Sequence, residues 1–247
     1  MLEQLDTDQT RRRIGGFAWV TAWVGLAAGQ LHALARFATA DGHEDLQYPL
    51  TAAWAVPASN LLRPLLDWAH PNLVYLHYGK VWFVVFAAFT LCAWVVYRTR
   101  RPTGFETWTW RLALTGYAVA TVGVFASYWT QWTPVYSEPW FSIGWYLDVP
   151  GLLLSLAGSS LLGITLLIKR FRPVLPALLL AAAFPMAVVI LQVTSLGSTS
   201  LPLAFAFGLL GRRIARARDP WSPLQLSGDG HRPAVSQATG RTRRRDG

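Results

Sequence analysis

LVYLHYGKVWFVVFAAFTLCAWVVY, residues 73–97, is an unbroken apolar run that carries His77 and Lys80 near one end. A bilayer core about 30 Å thick needs about 20 apolar helical residues to cross it, and this run supplies them with a few over for tilt. The stretch therefore reads as a transmembrane helix. Its two ionisable residues ask for a reason, because charge inside such a span is costly.

The rest of the chain agrees with a membrane setting. With 53% hydrophobic residues, only 14% charged and 13 tryptophans in 247 residues, it is poorer in charge and richer in aromatics than a soluble domain. The net charge of +9 does not point to nucleic acid, since the basic residues lie between and after apolar runs instead of marking one folded face. Cys92 is the only cysteine, so no internal disulfide, CxxC redox pair or cysteine zinc site exists.

Outward from residues 73–97, the pattern gives an all-α polytopic membrane protein, a bundle of six transmembrane helices. The spans fall at about 14–38, 73–97, 110–131, 147–168, 174–195 and 198–211. Residues 1–13 form a polar segment ending in Arg11, Arg12 and Arg13, residues 14–213 form the transmembrane domain, and residues 214–247 form a basic tail read as disordered. The first apolar stretch exceeds a signal-peptide core and is broken by Gln30 and His32, so it is read as retained rather than cleaved after Ala40. The sixth span is short for a full crossing, and a tilted or re-entrant segment would explain that. From Ser59, a candidate N-cap, the piece SNLLRPLLDWA reads as an amphipathic helix lying on the membrane surface, and Pro71 suits the first turn of the next span. Pro185 lacks an N–H and frees the carbonyl of Ala181, which predicts a kink in the fifth span.

Loop charges orient the bundle. Arg11–Arg13, Arg98–Arg101 with Arg111, Lys169–Arg172 and Arg212–Arg218 fall on alternate connections, whereas the intervening loops hold Asp41, Glu44, Asp45, Asp67 and Glu138 against Arg63 alone. The positive-inside rule then puts both termini in the cytoplasm with six crossings. A plasma-membrane protein is expected. The loop WTPVYSEPWFSIGWYL, 132–147, is dense in aromatic rings, as expected at headgroup level on the outer side.

On the first span Ala18, Ala22, Gly25, Gly29, His32 and Arg36 share a stripe, and its small residues allow a neighbouring helix to come close. On the second span Leu73, His77, Lys80, Val84, Ala87 and Leu91 form a similar stripe, read as facing the bundle. Antiparallel helices bring His32 and His77 to similar depth, where Gln30, Tyr128, Gln131, Asp148 and Gln192 also fall. These residues define an expected polar pocket open toward the outer leaflet.

Two sharper readings compete with simple packing there. His32 and His77 could ligate a haem b between two helices, or the same pair could be a hydrogen-bonded structural feature. Lys80 and Asp148 could form an ion pair on a proton path, although Lys80 and Arg36 snorkelling to the headgroups is the simpler expectation. The cluster His43, Glu44 and Asp45 with His70 is read as a solvated loop instead of a metal site. HExxH, GxSxG, Walker A and GxGxxG motifs are missing from the sequence. The leading expectation is a non-catalytic bundle that binds a small molecule, a lipid or a partner membrane helix. The alternatives are a haem- or quinone-linked redox protein and a proton-coupled transporter, and no nucleic-acid partner is expected.

Overall fold

The structure is a computed structural model that describes residues 8–216, all of whose regular elements are helical. Helix α1 is Asp8–Phe37, α2 Pro49–Leu61, α3 Arg63–Leu66, α4 Pro71–Arg100 and α5 Phe105–Val124. After a π-helical turn, Phe125–Trp129, come α6 Trp140–Ile168, α7 Val174–Ala181, α8 Ala183–Leu191 and α9 Leu201–Arg216. Four helices are long and apolar enough to cross a membrane, and a fifth crossing is made if α7 and α8 count as one bent span. The protein is thus a multi-pass membrane protein by the length and apolarity of its helices.

Several boundaries differ from the sequence reading. The basic residues 11–13 are already helical in α1, and residues 214–216 close α9 rather than beginning a tail. Residues 1–7 and 217–247, where the remainder of the two terminal segments was assigned, lie outside the described residues. Helix α6 begins at Trp140, so half of the aromatic loop is in fact its first two turns. Ser59 caps nothing: it lies inside α2, whose start is marked by Pro49 in its first turn. By contrast α4 begins as expected, with Pro71 in the first turn and the His70 ring accepting the Asn72 N–H at 3.3 Å.

The fifth span is broken, by 57°, at Ala182. Pro185 causes the break. Its ring occupies the place where the carbonyl of Ala181 would be bonded, so α7 stops at Ala181 and α8 starts two residues on. The Phe184 N–H, left over at the joint, donates to Ser160 Oγ at 3.0 Å.

The sixth segment falls short of the length of an upright crossing and is not among those four or five. Its helix α9 has 16 residues, and it is preceded by a 3-10 turn, Leu196–Ser200, rather than by more helix. Ser195, Ser198, Thr199 and Ser200 of this connection are all buried, with Thr199 and Ser200 bonding to carbonyls of the same turn. Non-helical backbone inside a bundle survives where protein covers it, as here.

Packing follows the small residues. Helix α1 lies between α4 and α9, with Gly25 against Val85, Gly29 against Trp82 and Gly15 against the backbone of Gly211. Helices α5 and α6 touch along Gly116, Gly123, Gly151 and Gly158, where a Cβ would meet the backbone of the opposite helix. At the basic end, buried Glu106 binds both Arg100 and Lys169 Nζ, the latter at 3.0 Å, tying the 101–104 turn to the 169–173 turn. The loops 38–70 and 130–139 cover the opposite end.

Candidate functional site

The α1 stripe does face the bundle, and its burial places His32 where three aromatic rings can enclose it. The imidazole stacks on Tyr75 at 4.6 Å between centroids and meets Tyr128 edge-on at 5.4 Å. The indole N–H of Trp82 donates to His32 Nδ1 at 3.1 Å. Because Nδ1 accepts, the ring is neutral and its proton sits on Nε2. That Nε2 is buried and has no hydrogen-bond partner.

His32 forms part of the wall of a cavity of about 600 Å³ between α1, α4, α5, α6 and the 192–197 connection. The cavity's deep wall holds Trp82, Phe86, Tyr128 and Asp148, while exposed Asp41, Tyr48, Glu138, Trp145 and Tyr146 ring its mouth. Tyr75 and Tyr128 share a hydrogen bond of 3.0 Å between their hydroxyls. The Tyr128 ring can lie flat on α4 only because Gly79 offers no Cβ beneath it. The π-helical turn that carries Tyr128 adds one residue to the helix end, a feature common beside binding sites.

The mouth is shaped by the end of α1. Thr39 Oγ1 donates to the Arg36 carbonyl at 2.7 Å and accepts the Gly42 N–H at 3.1 Å, folding the chain back over the helix. Gly42 lies so close to the Arg36 carbonyl that no side chain fits. The returning loop brings Asp45 to Arg36 Nε at 3.0 Å, so Arg36 is paired at the cavity wall where snorkelling was expected. In the covering loop, burial pushes the Tyr136 phenol up, and Tyr75 and Asp41 act in the same direction.

The expected residues divide. His32, Tyr128 and Asp148 meet at the cavity; His77, Lys80, Gln30, Gln131 and Gln192 do not line it. The His32–His77 pair is not formed. His77 lies about 200° round α4 from Tyr75, the ring that touches His32, and contacts Trp68 and Trp132 while its Nδ1 bonds the Leu73 carbonyl. The face of α4 assigned inward is the less buried one. The buried face carries Val74, Trp82, Val85, Phe86 and Phe89.

Lys80 and Asp148 are not ion-paired either. Lys80 Nζ sits 3.1 Å from the centre of the Trp132 ring, a cation–π contact. The Asp148 carboxylate has no hydrogen bond or ion pair with any described residue. Gln131 instead braces the covering loop, its Oε1 accepting the Ser137 N–H at 2.7 Å. Gln30 reaches Thr194 at 3.5 Å, and the Gln192 carbonyl accepts from Thr51 at 3.2 Å. Among the described residues no group of three His, Cys, Asp or Glu side chains could hold a metal ion.

Arg36, Tyr75, Trp82 and the 194–197 connection were missed as cavity residues. The α1 stripe contained Arg36, and Tyr75 and Trp82, seven apart, share one α4 face. Comparison with protein-family models, curated proteins and solved structures gave no match to this chain.

Proposed function

We propose that this is a six-crossing protein of the plasma membrane, both termini cytoplasmic, whose extracytoplasmic cavity binds a small molecule without transforming it. The observation that carries this reading is the unpartnered Nε2–H of His32 in the wall of a cavity of about 600 Å³. A buried donor left unsatisfied costs about 1–3 kcal/mol, and a ligand acceptor would remove that cost. The volume falls within the range of about 300–1,000 Å³ usual for small-molecule sites. The segregation of Arg11–Arg13, Arg98–Arg101 and Arg212–Arg216 away from the cavity supports the orientation.

Binding without catalysis is favoured by the state of His32. Its Nδ1 is occupied by Trp82 and its Nε2 is protonated, so it has no free lone pair with which to act as a base. A bis-histidine haem is disfavoured by the opposed positions of His32 and His77, and a Lys80–Asp148 proton path by the Lys80 contact with Trp132.

Two experiments test the reading. Thermal unfolding of detergent-purified protein against a panel of neutral, anionic and cationic compounds should give at least one shift that Ser142→Trp, a bulky ring at a half-buried position lining the cavity, abolishes. No shift from any compound would overturn it. Glu44→Cys in intact cells should react with a membrane-impermeant maleimide, Cys92 being buried and silent; reaction only after lysis would invert the topology.

A further inference from the structure

We infer that the cavity takes an organic ammonium ion that also carries a hydrogen-bond acceptor. This rests on the small-molecule reading above and names the ligand's chemistry.

The sign of charge comes first. Arg36, the cationic side chain in the wall, is committed to Asp45 at 3.0 Å. Asp41 and Glu138 remain at the mouth and Asp148 lies deeper, each without an ion-pair partner among the described residues. The vestibule is therefore net acidic, and the field within a walled cleft concentrates cations.

The kind of cation follows from the rest of the wall. An inorganic ion needs several oxygen ligands converging on one point, and no such group of acidic or histidine side chains exists among the described residues. The wall offers instead the rings of Tyr75, Tyr128, Tyr136, Phe141 and Trp145. Aromatic faces around a carboxylate are the surroundings that hold a substituted ammonium, whose charge is spread over alkyl groups. The volume, about 600 Å³, is far more than a hydrated metal ion would use.

An independent observation points to a ligand at the same place. His32 is 2% exposed, lines the cavity, and has its Nε2–H unsatisfied while Nδ1 is held by Trp82. That donor calls for a hydroxyl, ether or carbonyl oxygen on the bound molecule. Asp148 would face the cationic end and His32 the oxygen end.

The test uses the full-length protein in detergent, with thermal unfolding and tryptophan fluorescence as readouts. The probes are choline, benzyltrimethylammonium and tetramethylammonium, with 3,3-dimethyl-1-butanol as the uncharged analogue of choline. Choline should bind and raise the unfolding midpoint, and dimethylbutanol should not at the same concentration. Asp148→Asn should weaken choline at least tenfold while its unliganded midpoint stays level or rises, showing that it folds. His32→Phe should weaken choline but spare tetramethylammonium, which has no acceptor. Equal binding of choline and its uncharged analogue, or unchanged choline affinity in Asp148→Asn, would overturn the inference. If only neutral or anionic compounds shift the protein, this inference fails and the small-molecule reading survives; if no compound of any charge does, both fail.

Discussion

Trp82 Nε1 donates to His32 Nδ1 across 3.1 Å, and this one bond between α4 and α1 decides which face of the imidazole's chemistry is left for a ligand. The indole can reach the ring because Gly29 on α1 and Gly197 in the last connection leave its flanks clear. Three separate segments thus converge on a single tautomer.

Removing the indole N–H tests that convergence. Trp82→Phe leaves His32 Nδ1 buried without a donor and opens a void, for a loss of about 2–4 kcal/mol in detergent unfolding. Trp108→Phe, at a ring 53% exposed, should stay within about 0.5 kcal/mol. Equal effects of the two would mean that the Trp82–His32 bond is not holding the helices.

Neighbouring glycines on α1 should respond oppositely to alanine. A Cβ on Gly15 would overlap the backbone carbonyl of Gly211, which cannot swing aside, whereas one on Gly16 meets nothing within 4 Å. Gly15→Ala should destabilise by about 1–3 kcal/mol, the usual cost of overpacking. Gly16→Ala should be neutral or gain up to about 1 kcal/mol from helix propensity. Chemical denaturation of both variants, compared with wild type, checks the sign of each.

At the basic end, burial separates two ion pairs that look alike in sequence. The Glu106 side chain is 3% exposed and serves Arg100 and Lys169 together, whereas Arg63 and Asp67 are 77% and 57% exposed. Glu106→Gln should cost about 3 kcal/mol because it strands a largely buried guanidinium. Asp67→Asn should cost no more than about 0.5 kcal/mol, as for other exposed pairs. Denaturant midpoints of the two variants should differ accordingly.

The opposed histidines give a spectroscopic prediction. Haemin added to the purified protein should produce no low-spin bis-imidazole spectrum, because the His77 ring is turned toward Trp68 and Trp132. A Soret shift that vanishes in both His32→Ala and His77→Ala would show that the two rings do reach one iron.

Much of the architecture could be read from the chain because its signals are local. Apolar runs at residues 73–97 and 147–168 cross a bilayer whatever their neighbours do, and Pro185 breaks the Ala181 carbonyl bond by its own ring. The small-residue stripe ending at His32 was legible for a similar reason: Gly25 and Gly29 differ in size from the residues around them, so the face they mark is visible in one dimension.

Helix α4 carried no such mark. Its central residues are apolar on every side, and His77 and Lys80 near one end point to the less buried face. In lipid both faces of such a helix are equally comfortable, so periodicity holds no information about which one meets protein. The position of Asp148 at a cavity and the retreat of Lys80 under Trp132 were likewise beyond reach, since each depends on where α6 and the 130–139 loop come to rest.

Composition and local pattern by themselves determined that this chain is a helical membrane protein, where its long helices run and where its charges collect. Tertiary structure alone decided which side chains face one another, including the Trp82–His32 bond and the cavity beside it. The physical reason is that spanning a membrane is a property of each segment's own transfer energy, whereas a cavity is the space left between segments far apart in the chain.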